Sequence, residues 1–162
     1  ESAQSVTGAR VVSVAAREDA LRALLIAHID LESIGRLVAG RDAQTASEHD
    51  LAAYRMAFDE FALRVLTRHL SNFRGEKIEV TGADALPEGD LSVRSRIKRD
   101  RSAIVSLDWR VRAAGGEFKI LDVAVNGLSL VVAYRNEFAA LIRKNGGIAG
   151  LTVILKERAA AM

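Results

Sequence analysis

The strongest constraint on the fold of this chain is a change in the spacing of its apolar residues after Gly75. Before that point apolar residues recur every three to four positions, as on one side of a helix; after it they alternate with polar residues, as in strands buried on one face. The alternating sets are Ile78 and Val80; Leu91, Val93 and Ile97; and Val105, Leu107, Trp109 and Val111. The pattern therefore predicts helices first and a sheet second.

A fourth strand, residues 117–125, is apolar along most of its length. The links at residues 99–102 and at Gly115-Gly116 are too short to contain crossover helices, so neighbouring strands must be antiparallel. The sequence predicts a four-stranded antiparallel meander. Strict alternation in the fourth strand would place Phe118, Ile120 and Ala124 on one face and Leu121, Val123 and Val125 on the other.

Helix signals surround the predicted sheet on both sides. A first helix is expected from Arg17, and Asp30 is placed to cap a second one that ends at Gly40. Ser47 followed by Asp50 resembles a capping box and predicts the start of a long helix to about residue 70. Two further helices are expected at about residues 129–144 and over residues 148–155. We therefore predict one α+β domain over residues 1–162, with residues 1–16 as a loosely ordered start.

The interior of this fold must be largely aliphatic, because apolar residues make up 49% of the chain and aromatic residues only 5%. We predict an apolar pocket between the sheet and the helices. Side chains of the same type also build a closed core, so the sequence leaves open which of them line the pocket. The candidates are Phe58, Phe61, Leu66, Val105, Leu107, Trp109, Val123, Leu128, Val131, Tyr134, Phe138 and Leu141.

Catalytic and cofactor signatures are missing from the sequence. The chain has no Cys and three His, and none of the His residues has the spacing of a zinc site or a catalytic triad. We expect no enzyme activity, no metal and no cofactor. One alternative remains open: Asp122 lies in the most apolar strand, and cone-shaped folds of this kind include proton-transfer enzymes in which a buried Asp acts as general base.

The charge pattern provides a second candidate surface. Arg94 and Arg96 on one predicted strand and Arg110 on its neighbour would project from the polar side of the sheet. This patch is either an ordinary solvated face or a docking site for an acidic partner protein. We expect no nucleic-acid binding, because 23 basic residues are balanced by 21 acidic ones and the patch has no interleaved aromatics. The sequence contains no run of eighteen apolar residues, which is the length that a transmembrane helix requires.

An ordered set of motifs runs along about residues 20–156. Its segments are residues 30–40, the helix that begins near Ser47, residues 108–110, residues 115–130, residues 134–138 and residues 145–151. In this order they resemble the MlaC family of periplasmic phospholipid-binding proteins from Gram-negative bacteria, also called the toluene-tolerance family. The chain departs from the family pattern at Asn126, where many relatives have Glu, and it has no aromatic residue near residues 42–44.

The resemblance implies a carrier without catalytic activity. It implies a periplasmic mature protein, made by removal of a signal peptide, that holds a phospholipid by its acyl chains. The implied partners are an outer-membrane lipoprotein complex and the substrate-binding ring of an inner-membrane ABC transporter, which together maintain the lipid asymmetry of the outer membrane. A carrier of hopanoid-type lipids is the alternative that stays open, as do the direction of transport and the oligomeric state.

Overall fold

The order of elements is that of an α+β fold, with helices on both sides of an antiparallel sheet. The structure, a computed structural model, describes residues 14–71, 76–99 and 103–162. The elements are α1 (Val14–His28), α2 (Leu31–Ala39), α3 (Asp42–Thr45), α4 (Glu48–Ser71), β1 (Ile78–Ala85), β2 (Asp90–Arg99), β3 (Ala103–Ala114), β4 (Glu117–Val125), β5 (Leu128–Ser129), α5 (Leu130–Lys144) and α6 (Gly147–Ala160). A single 3₁₀ turn, Pro87–Gly89, joins β1 to β2.

The N-terminal helices begin close to where the sequence predicts them. Helix α1 starts at Val14, three residues before the expected Arg17, so residues 14–16 of the predicted loose start are helical. The remainder of that start, residues 1–13, lies outside the described residues. A short helix, α3, was not predicted, because four residues are too few to show a periodic pattern.

Two predicted helix caps are present. The Asp30 carboxylate accepts a hydrogen bond from the backbone N–H of Ser33 at 2.9 Å, which satisfies one of the free donors at the start of α2. At the start of α4 the N–H of Asp50 donates to the Ser47 hydroxyl at 3.1 Å, and that hydroxyl donates to the Asp50 carboxylate at 2.8 Å. Polar side chains placed just before apolar runs therefore fix where both helices begin.

The sheet is an antiparallel meander in the order β1-β2-β3-β4-β5. The predicted four strands are present, and the fifth, β5, has only two residues. Gly115 and Gly116 form the tight turn between β3 and β4 with φ values of 60° and 86°, a backbone conformation that side chains with a Cβ disfavour. The predicted link between β2 and β3 lies mostly in residues 100–102, outside the described residues.

A β-bulge in β4 changes the predicted orientation of that strand. Arg110 of β3 lies opposite Asp122 and the next residue, Val111, lies opposite Ile120, so Leu121 is an extra residue. An extra residue reverses the alternation beyond it. Ile120 and Val123, which strict alternation placed on opposite faces, therefore lie on the same face of the sheet.

The main core is formed by helices. Its fully or nearly buried members come from α2, α4, α5 and α6, and aromatic rings of α4 and α5 are in contact inside it. Helices α1, α2 and α5 also pack against β4, and Ile29 adds a parallel bridge to Ile120 at the edge of that strand. The helical layer therefore meets the sheet mainly along β4.

In the described segments no single helix combines the length and the apolar character needed to cross a bilayer. Helices α5 and α6 meet that criterion only when they are counted together across a bend of 115°, and they do so by length and composition alone.

Candidate functional site

Most apolar residues of the sheet share one face, which extends across all five strands. Residues paired directly across neighbouring strands point to the same side, so the pairing register determines the members of each face. We call this side the apolar sheet face. Its members are Ile78, Val80, Ala83, Ala85, Leu91, Val93, Ser95, Ile97, Val105, Leu107, Trp109, Val111, Ala113, Phe118, Ile120, Val123, Val125 and Leu128.

The apolar sheet face is partly open to solvent. Leu107 and Ile97 on the inner strands are buried, whereas Val80 at the β1 edge is 65% exposed and Leu128 at the β5 edge is 74% exposed. Contiguous apolar surface that stays exposed to solvent often marks a binding site. This face is therefore the candidate functional site.

The polar groups on this face are satisfied by one another. The indole Nε1 of Trp109 donates to the Ser95 hydroxyl at 2.8 Å, and that hydroxyl donates to the backbone carbonyl of Leu107 at 3.5 Å. The Ser95 side chain is consequently buried without leaving a donor free. The described part of this face thus offers a ligand hydrocarbon contacts and few hydrogen bonds.

The five predicted sheet residues, Val105, Leu107, Trp109, Val123 and Leu128, all lie on the apolar sheet face. The seven predicted helical residues lie differently. Phe58, Phe61 and Phe138 are buried inside the helical core, and Val131, Tyr134 and Leu141 pack against it. Leu66 is half-buried near the end of α4. Burial raises the pKa of the Tyr134 hydroxyl.

Several members of this face were not predicted from the sequence. Ser95 interrupts the apolar alternation of β2 between Val93 and Ile97, and that interruption was the available signal for a buried, partnered hydroxyl. Ile78 and Val80 were recognised as strand residues but not as part of the candidate site. Their role depends on the register of β1 against β2, which the sequence does not specify.

The opposite face carries the predicted arginines, but most of their charge is balanced within the sheet. Arg94 forms an ion pair with Asp84, and Arg110 forms one with Asp90 at 2.6 Å. Arg112 also donates to Asp90, and hydrogen bonds from Arg112 and Arg110 hold the pKa of this buried carboxyl below its usual value. Of the three predicted docking residues, Arg96 has no ion-pair partner within the described residues.

Asp122 acts as a helix cap. Its carboxylate accepts hydrogen bonds from the Ser129 hydroxyl at 2.5 Å and from the backbone N–H groups of Val131 at 3.1 Å and Val123 at 2.8 Å. Ser129 itself caps α5 by accepting from Val132. These bonds tie β4 to the first turn of α5, where an acidic group is favourable.

Two cavities are lined by residues outside the apolar sheet face, except that Ser95 also borders the second one. One, of about 240 Å³, is bounded by polar and small residues between α3 and the turn joining α5 to α6. The other, of about 390 Å³, lies on the polar side of the sheet beside Arg94, Arg96 and Asp108. No group of three or more His, Asp or Glu side chains suited to a metal ion occurs in the part of the chain that the structure describes.

Comparisons with known proteins agree with this architecture. The solved structure of a phospholipid-binding protein from Ralstonia solanacearum, in complex with a phospholipid, superposes with a TM-score of 0.76 and 26% identity, covering 89% of this chain and 83% of that one. Toluene tolerance protein ttg2D of Pseudomonas putida is 22% identical over 129 residues, which are 79% of this chain and 60% of the relative's length.

A family-wide comparison covers nearly the whole chain. The family model described as MlaC protein matches residues 7–157, a span that includes all the described helices and strands except the last few residues of α6. Fold and sequence pattern therefore point to the same group of proteins. The chain belongs to the MlaC family.

Proposed function

We propose that this protein is a lipid carrier that binds the acyl chains of a phospholipid on the apolar sheet face. The observation that supports the proposal is the continuity of that face, which runs across five strands from Ile78 to Leu128 and is open at its edges. Hydrocarbon chains gain about 0.8 kcal/mol for each buried methylene group, so a long chain supplies enough free energy without polar recognition.

The polar chemistry of the site supports the same proposal. Ser95 and Trp109 satisfy each other, so a ligand on this face needs no headgroup contact there. The similar protein from Ralstonia solanacearum was determined with a phospholipid bound, and it shares this fold over most of its length. We therefore take phospholipid as the first candidate ligand.

We further propose that the protein works in the periplasm and has no catalytic activity, as expected for a carrier between an outer-membrane lipoprotein complex and an inner-membrane transporter. The hydrogen bonds of Asp122 support a structural role for this carboxylate in capping α5 and give no reason to assign it as a general base.

The single tryptophan of the chain provides a direct test of lipid binding. Trp109 lies on the apolar sheet face, so a phospholipid with brominated acyl chains should quench its fluorescence when the protein takes the lipid from vesicles. The same phospholipid without bromine should be taken up without that quenching. Absence of quenching, together with absence of bound lipid in native mass spectrometry, would refute the proposal.

Two neighbouring residues of β3 supply a matched pair of variants. Val105 lies on the apolar sheet face, and Ile104 points to the opposite side, where it is exposed. Val105→Asn should weaken lipid uptake by about tenfold, because an amide must be desolvated against hydrocarbon. Ile104→Asn should leave uptake unchanged. Equal effects of the two substitutions would show that the ligand does not occupy this face.

Docking to acidic partners by the polar side of the sheet is a separate proposal. Arg96 should contribute most among the predicted residues, since Arg94 and Arg110 already have carboxylate partners. We expect Arg96→Glu to slow association with a partner complex and to reduce its dependence on salt, with lipid binding retained. An unchanged association rate would exclude this face as the docking site.

A further inference from the structure

Trp109 occupies the middle of the apolar sheet face. It lies on β3, with Val93 directly opposite on β2 and Val123 directly opposite on β4. The indole is the largest side chain on this face and is only half-buried. Any ligand that covers the centre of the face must therefore lie against this ring or pass beside it.

A hydrogen bond across the strands fixes the position of the ring. Ser95 is paired with Leu107, one row of side chains away from the row of Trp109. The hydrogen bond from the indole Nε1 to the Ser95 hydroxyl is 2.8 Å long. The ring therefore extends from its own row of side chains toward the neighbouring row. Ser95 is only 2% exposed, so releasing the ring would leave a buried hydroxyl with one partner fewer. The indole is thus held in one place.

The pairing register of the strands shifts on both sides of this ring. The pairing register shifts in β1 between Val80 and Gly82, next to the level of Ser95, and again in β4 opposite Arg110 and Val111, next to Trp109 itself. Bulges of this kind bend a strand, increase its twist and redirect side chains. The ring therefore lies between two positions at which the regular pairing of the sheet is interrupted.

Two apolar areas remain, one on each side of Trp109 along the strands. The first contains the paired residues Ile78, Ile97 and Val105. The second contains Leu91, Val111 and Ile120, which are paired in the same way at the other end of the sheet. Each area is lined by aliphatic side chains of β-strands and has no charged member.

We infer that Trp109, fixed by Ser95, divides the apolar sheet face into two compartments and makes the site selective for lipids with separate flexible chains over lipids with a rigid fused-ring body. This inference rests on the proposed function and specifies the substrate class of the same site. Flexible chains bend around the indole and occupy either compartment. A rigid fused-ring plate needs one continuous surface, and the ring interrupts it.

Trp109 would select between the two lipid classes by steric exclusion of the rigid lipid, without an added attraction for the flexible one. A steric obstacle discriminates against a rigid competitor while costing a flexible ligand little. Misfits of a few atoms in an apolar site typically change relative affinity by about tenfold or more. Removal of the indole should therefore improve binding of the rigid lipid more than it affects binding of the flexible one.

The test measures competition between the two lipid classes. Vesicles containing equal amounts of radiolabelled phosphatidylethanolamine and cholesterol are incubated with the protein, and the ratio of the two lipids bound is determined after separation. Wild-type protein should take up phosphatidylethanolamine in preference. Trp109→Ala should lower the ratio of bound phosphatidylethanolamine to bound cholesterol by about tenfold. Ser95→Ala removes the hydrogen bond to the indole but retains the Trp109 side chain, so it should lower this ratio by less. Ile104→Ala, on the other face of β3, should leave the ratio unchanged.

The outcomes separate this inference from the proposed function. Wild-type protein that takes up neither lipid refutes the proposed function and the inference with it. Wild-type protein that takes up phosphatidylethanolamine, combined with an unchanged ratio in folded Trp109→Ala, refutes the inference alone. Should Trp109→Ala not fold, Trp109→Phe and Ser95→Ala decide the matter: a lowered ratio in both supports the inference, and any other result overturns it.

Discussion

The assignment of Phe138 to the helical core, and not to the ligand site, can be tested by truncating it. The side chain, on α5, is fully buried in the helical core, with 0% exposure. The centroid of its ring lies 5.7 Å from the ring centroid of Tyr134, 6.2 Å from that of Phe61 and 6.4 Å from that of Phe58. The pair with Phe58 is edge-to-face. Phe138→Ala removes all three contacts and leaves a cavity.

The expected cost follows from this burial. Truncation of a fully buried Phe to Ala typically lowers the free energy of unfolding by about 3–5 kcal/mol. For a chain of this length each kcal/mol lowers Tm by about 2–4 °C, so Tm should fall by about 6–20 °C. Val153, an exposed aliphatic residue on α6, provides the control: Val153→Ala should change the free energy of unfolding by no more than about 0.5 kcal/mol.

The assay combines thermal unfolding with lipid uptake measured well below the Tm of the variant. If Phe138 belongs to the core, Phe138→Ala should lower Tm strongly and still take up brominated phospholipid with normal quenching of Trp109. A variant with unchanged Tm and lost uptake would show that Phe138 contacts ligand, and the division between helical core and apolar sheet face would be wrong.

Three further predictions concern stability. Gly150→Ala should lower Tm markedly in thermal unfolding. A Cβ at this position would lie 1.7 Å from the carbonyl oxygen of Asn145, so the turn between α5 and α6 would have to move apart. An unchanged Tm would contradict this close approach. Asp122→Ala should lower the free energy of unfolding by about 1–2 kcal/mol in urea titrations while lipid uptake persists, since only the cap of α5 is lost. The pKa of Asp90 is lowered in the folded state because Arg112 donates hydrogen bonds to its carboxylate. The contribution of this group to the free energy of unfolding is therefore complete above its unfolded pKa of about 3.9 and is lost as pH falls through its folded pKa. Asp90→Asn should therefore flatten the fall of Tm with acid, and a parallel curve would count against this ion pair.

Much of the fold could be predicted because it depends on local interactions. The change of period after Gly75 separates helices from strands, and a side chain such as Asp30 or Ser47 caps the helix that follows it within three residues. Short links restrict consecutive strands to antiparallel pairing. Such features involve neighbours in the chain, so the sequence displays them directly.

The candidate site could be predicted only in part. Alternation correctly grouped Val105, Leu107 and Trp109 on one face, because a period of two is a local property of a strand. It misplaced Ile120 relative to Val123, because one extra residue in β4 depends on how that strand pairs with β3. A bulge of this kind leaves no clear mark in composition or period.

The amino-acid sequence by itself determined the succession of helices and strands, the helix caps and the apolar character of one sheet face, since each arises from residues a few positions apart. Tertiary structure alone decided that Phe58, Phe61 and Phe138 are sealed among helices, whereas Val80 and Leu128 remain open at the edges of the sheet. An apolar side chain has the same composition in a closed core and in a binding face. Only the packing of distant segments against it determines which of the two it becomes.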